Sequence, residues 1–235
     1  MDDLLEHVRW IVVEHRHDRD GGYDTIRAIQ FFWHTLEPCR QLALKGVLLG
    51  GVVRRERNVW SLALEVLVQE HARDVAPELL SGVRAGHHDP EWRDDVVLAV
   101  LRLGYAGEVE YCRQYVEKRL VARPPGEVSL VAALVRIPPG VGIDVASRYL
   151  AEAKHRHLKA GIEPWAAIFV RHYLAVDERH LAELIHAIHR NDPEAAGWFA
   201  EALERYLAKP WMVRRLGSER VFALRSEITA AAREQ

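Results

Sequence analysis

Ten prolines punctuate the chain, at Pro38, Pro77, Pro90, Pro124, Pro125, Pro138, Pro139, Pro164, Pro193 and Pro210. Almost every one precedes or opens a segment whose apolar residues recur with helical period. Proline is tolerated in the first turn of a helix, where its missing N–H would have had no partner, so these positions read as helix starts. Asp89-Pro90-Glu91 and Asp192-Pro193-Glu194 are the clearest, each offering an Asp N-cap, a proline at the first helical position and an early acid facing the helix dipole. A chain restarted this often does not build one bundle of long helices. Strand signals are nearly absent.

Between the breaks the helical period is plain. Leu4, Leu5, Val8, Ile11, Val12 and His15 share one face of a first segment, and a second, after Gly21-Gly22, carries Ile26, Ile29, Trp33 and Leu36. Helices are then expected over 40–52, 58–73, 75–85, 90–104, 108–122, 126–137, 142–160, 164–176, 178–190, 193–208 and 212–233. Two stretches, 128–137 and 166–176, are apolar nearly all round and so need cover on several sides. Short helices with short links, some buried on one side and some on all, predict an all-α fold of stacked antiparallel hairpins, about six of them, in a single domain over 1–235.

Faint internal similarity points the same way. DPEWRDDVVLAVLRLG at 89–104 and DPEAAGWFAEALERYL at 192–207 start alike, and the tryptophan pairs Trp60/Trp92 and Trp165/Trp198 are spaced by 32 and 33 residues (92 − 60 and 198 − 165). Periods of this order belong to solenoids. In its proline-started helices, each followed by a second apolar helix, the chain resembles the HEAT and armadillo class of α-helical repeats. The resemblance is architectural and covers most of the chain. It implies an α-solenoid whose surface binds proteins or nucleic acids.

Charge bears on the partner. The 32 basic residues are set against 34 acidic ones, a formal net charge of −2, so long-range attraction to phosphate backbones has no global source. Cys39 and Cys112 lie far apart and form no CxxC, which fits a reducing compartment. The start, MDDLLEHVRWIVVEH, carries acids where a secretory signal carries bases, and no apolar run reaches the roughly 20 residues that cross a bilayer. A cytoplasmic location without membrane contact is expected.

Several motifs invite chemistry and are answered by helix geometry. Glu-x-x-His pairs at Glu14/His17, Glu152/His155 and Glu183/His186 have the spacing used in di-iron bundles, but each lies off the apolar stripe of its own segment. HEAT-like deoxyhypusine hydroxylase holds iron through His-Glu dipeptides, whereas this chain has only the reverse order, Glu6-His7, Glu14-His15 and Glu70-His71. His15, His71 and His157 fall on apolar faces, where a lone histidine is read as a hydrogen-bonded core residue. The acidic loop DRDGGYD at 18–24 departs from the EF-hand pattern at Gly22. The glycines of GVLLGGVV at 46–53 lack the lysine of a phosphate loop and suggest a tight helix contact instead. No catalytic residue, metal ligand or cofactor site is assigned.

What is left is basic and aromatic surface. Clusters occur at Arg54, Arg55 and Arg57, at Lys118, Arg119 and Arg123, and at Arg214 and Arg215 with Arg220, the last group near Trp211. The favoured expectation is a non-catalytic scaffold that presents helix faces to a protein partner, with Arg54, Arg55, Arg57, Trp211, Arg214 and Arg215 as anchors. The alternative expectation is a DNA-binding or DNA-repair protein, since such clusters with Trp60 or Trp211 resemble the groove of HEAT-like alkylpurine DNA glycosylases.

Overall fold

The computed structural model describes residues 27–54, 60–86, 89–122, 128–135, 137, 140–157 and 180–233, together with Glu6; side chains at 121–122, 152–157 and 231–233 fall outside that description. Among the described residues every regular element is a helix and none is a strand. By its internal contacts the chain divides into two compact units, Met1–Tyr105 and Ala106–Gln235.

The first unit opens with helical residues 27–32 and a short 3-10 turn, Trp33–Thr35. Leu36 then turns extended, and α1 starts at once (Pro38–Arg54). It is followed by α2 (Trp60–Gln69), α3 (Ala76–Arg84) and α4 (Pro90–Arg102). α1 packs on α2 and α3, and both of these pack on α4. The centre is Trp92, 1% exposed, whose indole N–H donates to the Val52 carbonyl of α1 at 2.9 Å. Its ring edge lies where a Cβ on Gly82 of α3 would approach to 3.0 Å.

The second unit holds α5 (Val109–Ala122), α6 (Val128–Leu134), α7 (Val141–His157), α8 (Leu181–Asn191), α9 (Pro193–Leu207), α10 (Pro210–Leu216) and α11 (Ser218–Arg233). Each helix packs on a chain neighbour, and contacts also link α5 to α7, α7 to α9 and α9 to α11. The stretch read as apolar all round is enclosed: Val128, Leu130, Val131, Leu134, Val135 and Ile137 are all buried. Its counterpart at 166–176 lies outside the described residues, as does the expected helix over 164–176.

The two Asp-Pro-Glu starts fold alike. Asp89 accepts from the N–H groups of Glu91 and Trp92 at 3.0 and 3.4 Å, and Asp192 from those of Glu194 and Ala195 at 2.9 and 3.1 Å. In both cases a side-chain oxygen occupies N–H groups that the helix itself leaves without partners.

Two expectations are corrected. The helix expected over 212–233 is two, α10 and α11, because Gly217 takes φ +83 and ends the first. His71 is no core residue. α2 stops at Gln69, and His71 stands exposed with φ +51, bonded to the Val68 carbonyl at 3.1 Å while Ala72 reaches back to the Leu67 carbonyl at 3.0 Å. That is a Schellman ending with histidine in the seat usually taken by glycine. In the 46–53 glycine run, a Cβ on Gly46 would meet open space and one on Gly50 only the Arg54 guanidinium, so of the three glycines only Gly51, buried in α1, is placed for a tight helix contact. The close approach lies at Gly142 in α7, where a Cβ would come within 2.5 Å of the Val135 Cα and closer still to the Leu134 carbonyl.

Candidate binding surface

The second unit contains the fullest surface candidate, in the turn from α9 through α10 into α11. Proline at 210 opens α10, Met212 plugs fully into the core, and Trp211 beside it is left 41% exposed. Tyr206 of α9 braces the Trp211 ring edge-on, with centroids 5.2 Å apart at 89°. Arg214 and Arg215 follow three and four residues after Trp211, so all three side chains leave the same face of the helix. Both arginines are exposed, and neither has an ion pair or hydrogen bond from its side chain among the described residues. Arg220, grouped with them by sequence, is instead taken by Glu227 at 3.3 Å.

Phe222, 73% exposed, and Arg225 extend the exposed surface on α11 and were not singled out from the sequence. The signal was available: Val221, Leu224 and Ile228 form the buried stripe of α11, and Phe222 is an aromatic residue off that stripe.

The other candidates are placed as follows. Arg54 ends α1 in the first unit and folds back so that its guanidinium covers Gly50. Arg55 and Arg57 lie outside the described residues. Arg54 therefore stands in one unit and Trp211, Arg214 and Arg215 in the other. Lys118 and Arg119 belong to α5, whose ordered charges are a network in which Glu117 receives Arg148 of α7 at 2.8 Å and Arg113 at 3.5 Å. Bonding to Glu117 holds the Arg148 guanidinium above its ordinary range.

Trp60, offered as a base-stacking residue, is buried, and its indole N–H donates to Asp95 of α4 at 2.9 Å. Burial raises the Asp95 carboxyl above its ordinary value of 3.8; the Trp60 bond opposes this, and Glu91, Asp94 and Asp89 add to it. The pair fastens α2 to α4 within the first unit.

Of the Glu-x-x-His pairs, Glu14/His17 and the side chains of Glu152/His155 lie outside the description. Glu183 is exposed on α8 and bonds His180 Nδ1 at 3.1 Å, while Leu181, Leu184, Ile185 and Ile188 form the buried face. Among the described residues no three His, Cys, Asp or Glu side chains gather as metal ligands would. An open cleft of about 610 Å³ runs between α7 and α8, lined by Asp144, Ser147, Glu183, Arg190 and Asn191 among others. Its one deeply buried polar group, the Ser147 hydroxyl, is committed, donating to the Asp144 carbonyl at 2.9 Å and accepting from Asn191 at 2.7 Å. No described helix is long and apolar enough to cross a membrane.

The class these features define is an all-α protein with an arginine and tryptophan surface on its C-terminal helices. Compared with known protein families, with curated proteins and with solved structures, the chain matches none.

Proposed function

We propose that this chain is a non-catalytic binding scaffold of HEAT-like helical hairpins that presents helix faces to a protein partner. The observation that carries the reading is the exposed, braced Trp211 beside Arg214 and Arg215, whose side chains have no partner among the described residues. Tryptophan and arginine dominate the energetics of protein interfaces because a rigid ring and a planar guanidinium gain much contact for little lost freedom. The helix pairing supports the repeat architecture. Contacts between alternate helices, α1 with α3, α2 with α4 and α5 with α7, fit successive hairpins laid side by side.

The test is to recover partners with the tagged full chain and then replace Trp211, Arg214 and Arg215 singly with alanine, monitoring fold by circular dichroism. Each replacement is expected to weaken a specific partner by degrees, since an interface spreads its contacts and only a few anchors cost more than about 1–2 kcal/mol. An activity of the chain that one His or Glu replacement abolishes, with fold and partner binding intact, overturns the reading, because loss of a single base or nucleophile costs orders of magnitude in rate.

A further inference from the structure

The sequence from Arg205 to Ser218 holds four basic residues, Arg205, Lys209, Arg214 and Arg215, and no acid. Arg205 is paired with Glu201 one turn earlier on α9. Lys209, Arg214 and Arg215 have no side-chain ion pair or hydrogen bond among the described residues; Arg214 and Arg215 share a helix face with Trp211, whose ring is held in place by Tyr206, and Lys209 stands at the N-cap of the same helix. Along the sequence the basic run is short and bounded. Glu201 and Glu204 precede it on α9, and Glu219 follows it on α11.

We propose that this surface docks an acidic segment of a partner protein, whose Asp or Glu carboxylates meet Lys209, Arg214 and Arg215 while an apolar side chain among them lies on Trp211. The inference rests on the scaffold reading and names the chemistry of its partner. Guanidinium groups bind carboxylate and phosphate with the same planar fork, so geometry alone does not choose between acidic peptide and nucleic acid. Extent does. A polynucleotide or an anionic bilayer is a continuous field of negative charge that would run past the patch onto Glu201, Glu204 and Glu219, in a chain of net charge −2. A short acidic segment ends where the cations end. Its apolar residue also uses the Trp211 face in a way a phosphate backbone does not.

The experiment uses the full chain and four probes: a short labelled peptide of Asp and Glu with two central leucines, the same peptide with Lys for every acid, an oligothymidylate, and vesicles containing phosphatidylserine. The acidic peptide is expected to bind, to weaken steeply with added salt, and to shift the Trp211 indole N–H resonance. Its affinity falls about tenfold or more in Trp211→Ala and in the double replacement Arg214→Glu, Arg215→Glu. The milder pair Arg214→Gln, Arg215→Gln follows the same trend if charge reversal disturbs folding. Arg205→Ala, which removes a paired cation and frees Glu201 at the border of the patch, lowers affinity less than either replacement. Tighter binding of the oligonucleotide or the vesicles, or acidic-peptide binding indifferent to these replacements, overturns the proposal. A recovered protein partner whose binding ignores Trp211, Arg214 and Arg215 overturns this site and leaves the scaffold reading in place. A catalytic activity lost with one His or Glu overturns the scaffold reading itself.

Discussion

At the scale of single residues, the two extremes of glycine use give a matched prediction. Gly142 packs its Cα where α7 meets the end of α6, and an added methyl would enter the Leu134 carbonyl and Val135 Cα. Backbone cannot swing aside as a side-chain tip can. Gly142→Ala should therefore cost about 2–3 kcal/mol through forced displacement of packed elements. Gly46 and Gly197 sit inside α1 and α9 with open space beyond them, so alanine there should stabilise by about 0.5–1 kcal/mol through a less flexible unfolded chain. Denaturant midpoints of the three variants read both signs; a neutral Gly142→Ala would show that the α6–α7 contact is looser than described. Asp95 gives a second, pH-dependent prediction. Its carboxyl is raised by burial, so the folded chain holds the proton more tightly than the unfolded one. The stability this contributes is fully present below the ordinary value of 3.8 and is lost as pH rises through the raised one. Asp95→Asn keeps an oxygen to accept from Trp60 but cannot ionise, so its stability relative to the parent should grow from acid to neutral pH. Parallel denaturation curves for parent and variant across that range would disprove the assignment. Asp95→Leu, which strands the Trp60 N–H, should instead cost about 1–3 kcal/mol.

At the scale of elements, helix starts were legible in the sequence because they are local. Asp-Pro-Glu contains its own cap, its own pre-set φ and its own dipole partner within three residues, and both copies fold that way. Asp89→Ala and Asp192→Ala should each lower stability by about 1 kcal/mol, measured by urea unfolding, with their effects adding because they cap different helices in different units. Burial faces were legible for the same local reason, as the stripe of Leu181, Leu184, Ile185 and Ile188 shows. What escaped needed knowledge of another element or of backbone sign. The split at Gly217 turns on one positive φ inside an apolar pattern that continues across it. The role of Gly142 depends on where α6 ends, and nothing in its own neighbourhood of sequence marks it; of the glycines in 46–53, Gly46 and Gly50 mark no contact and only Gly51 is buried. His71, expected on a helix face, stands two residues beyond the last helical residue. Of the candidate surface, Trp211, Arg214 and Arg215 were visible as charge beside an aromatic ring. That Arg220 would be neutralised by Glu227, seven residues on, was not.

At the scale of the whole molecule, the decisive quantity is charge, and it separates the protein-binding and DNA-binding readings. Affinity for a duplex comes mostly from counterions released as Lys and Arg neutralise phosphates, and the logarithm of the binding constant falls with the logarithm of salt by about 0.9 per phosphate neutralised. The C-terminal surface has four cations without side-chain partners among the described residues, Lys209, Arg214, Arg215 and Arg225, and the chain as a whole carries a net charge of −2. Binding through that surface therefore has a salt slope of about 4 or less, and so few released counterions give too little affinity to survive physiological ionic strength without base contacts. Trp60, which donates to the half-buried carboxylate of Asp95, is shut inside the first unit and offers no face to a flipped base. Mobility shifts with plain and alkylated duplexes over a salt series are expected to show weak binding that vanishes near physiological salt and does not distinguish the two. A slope well above 4, or release of an alkylated base into solution, would mean that DNA is being held by a surface other than this one, and the DNA-repair reading would replace the scaffold.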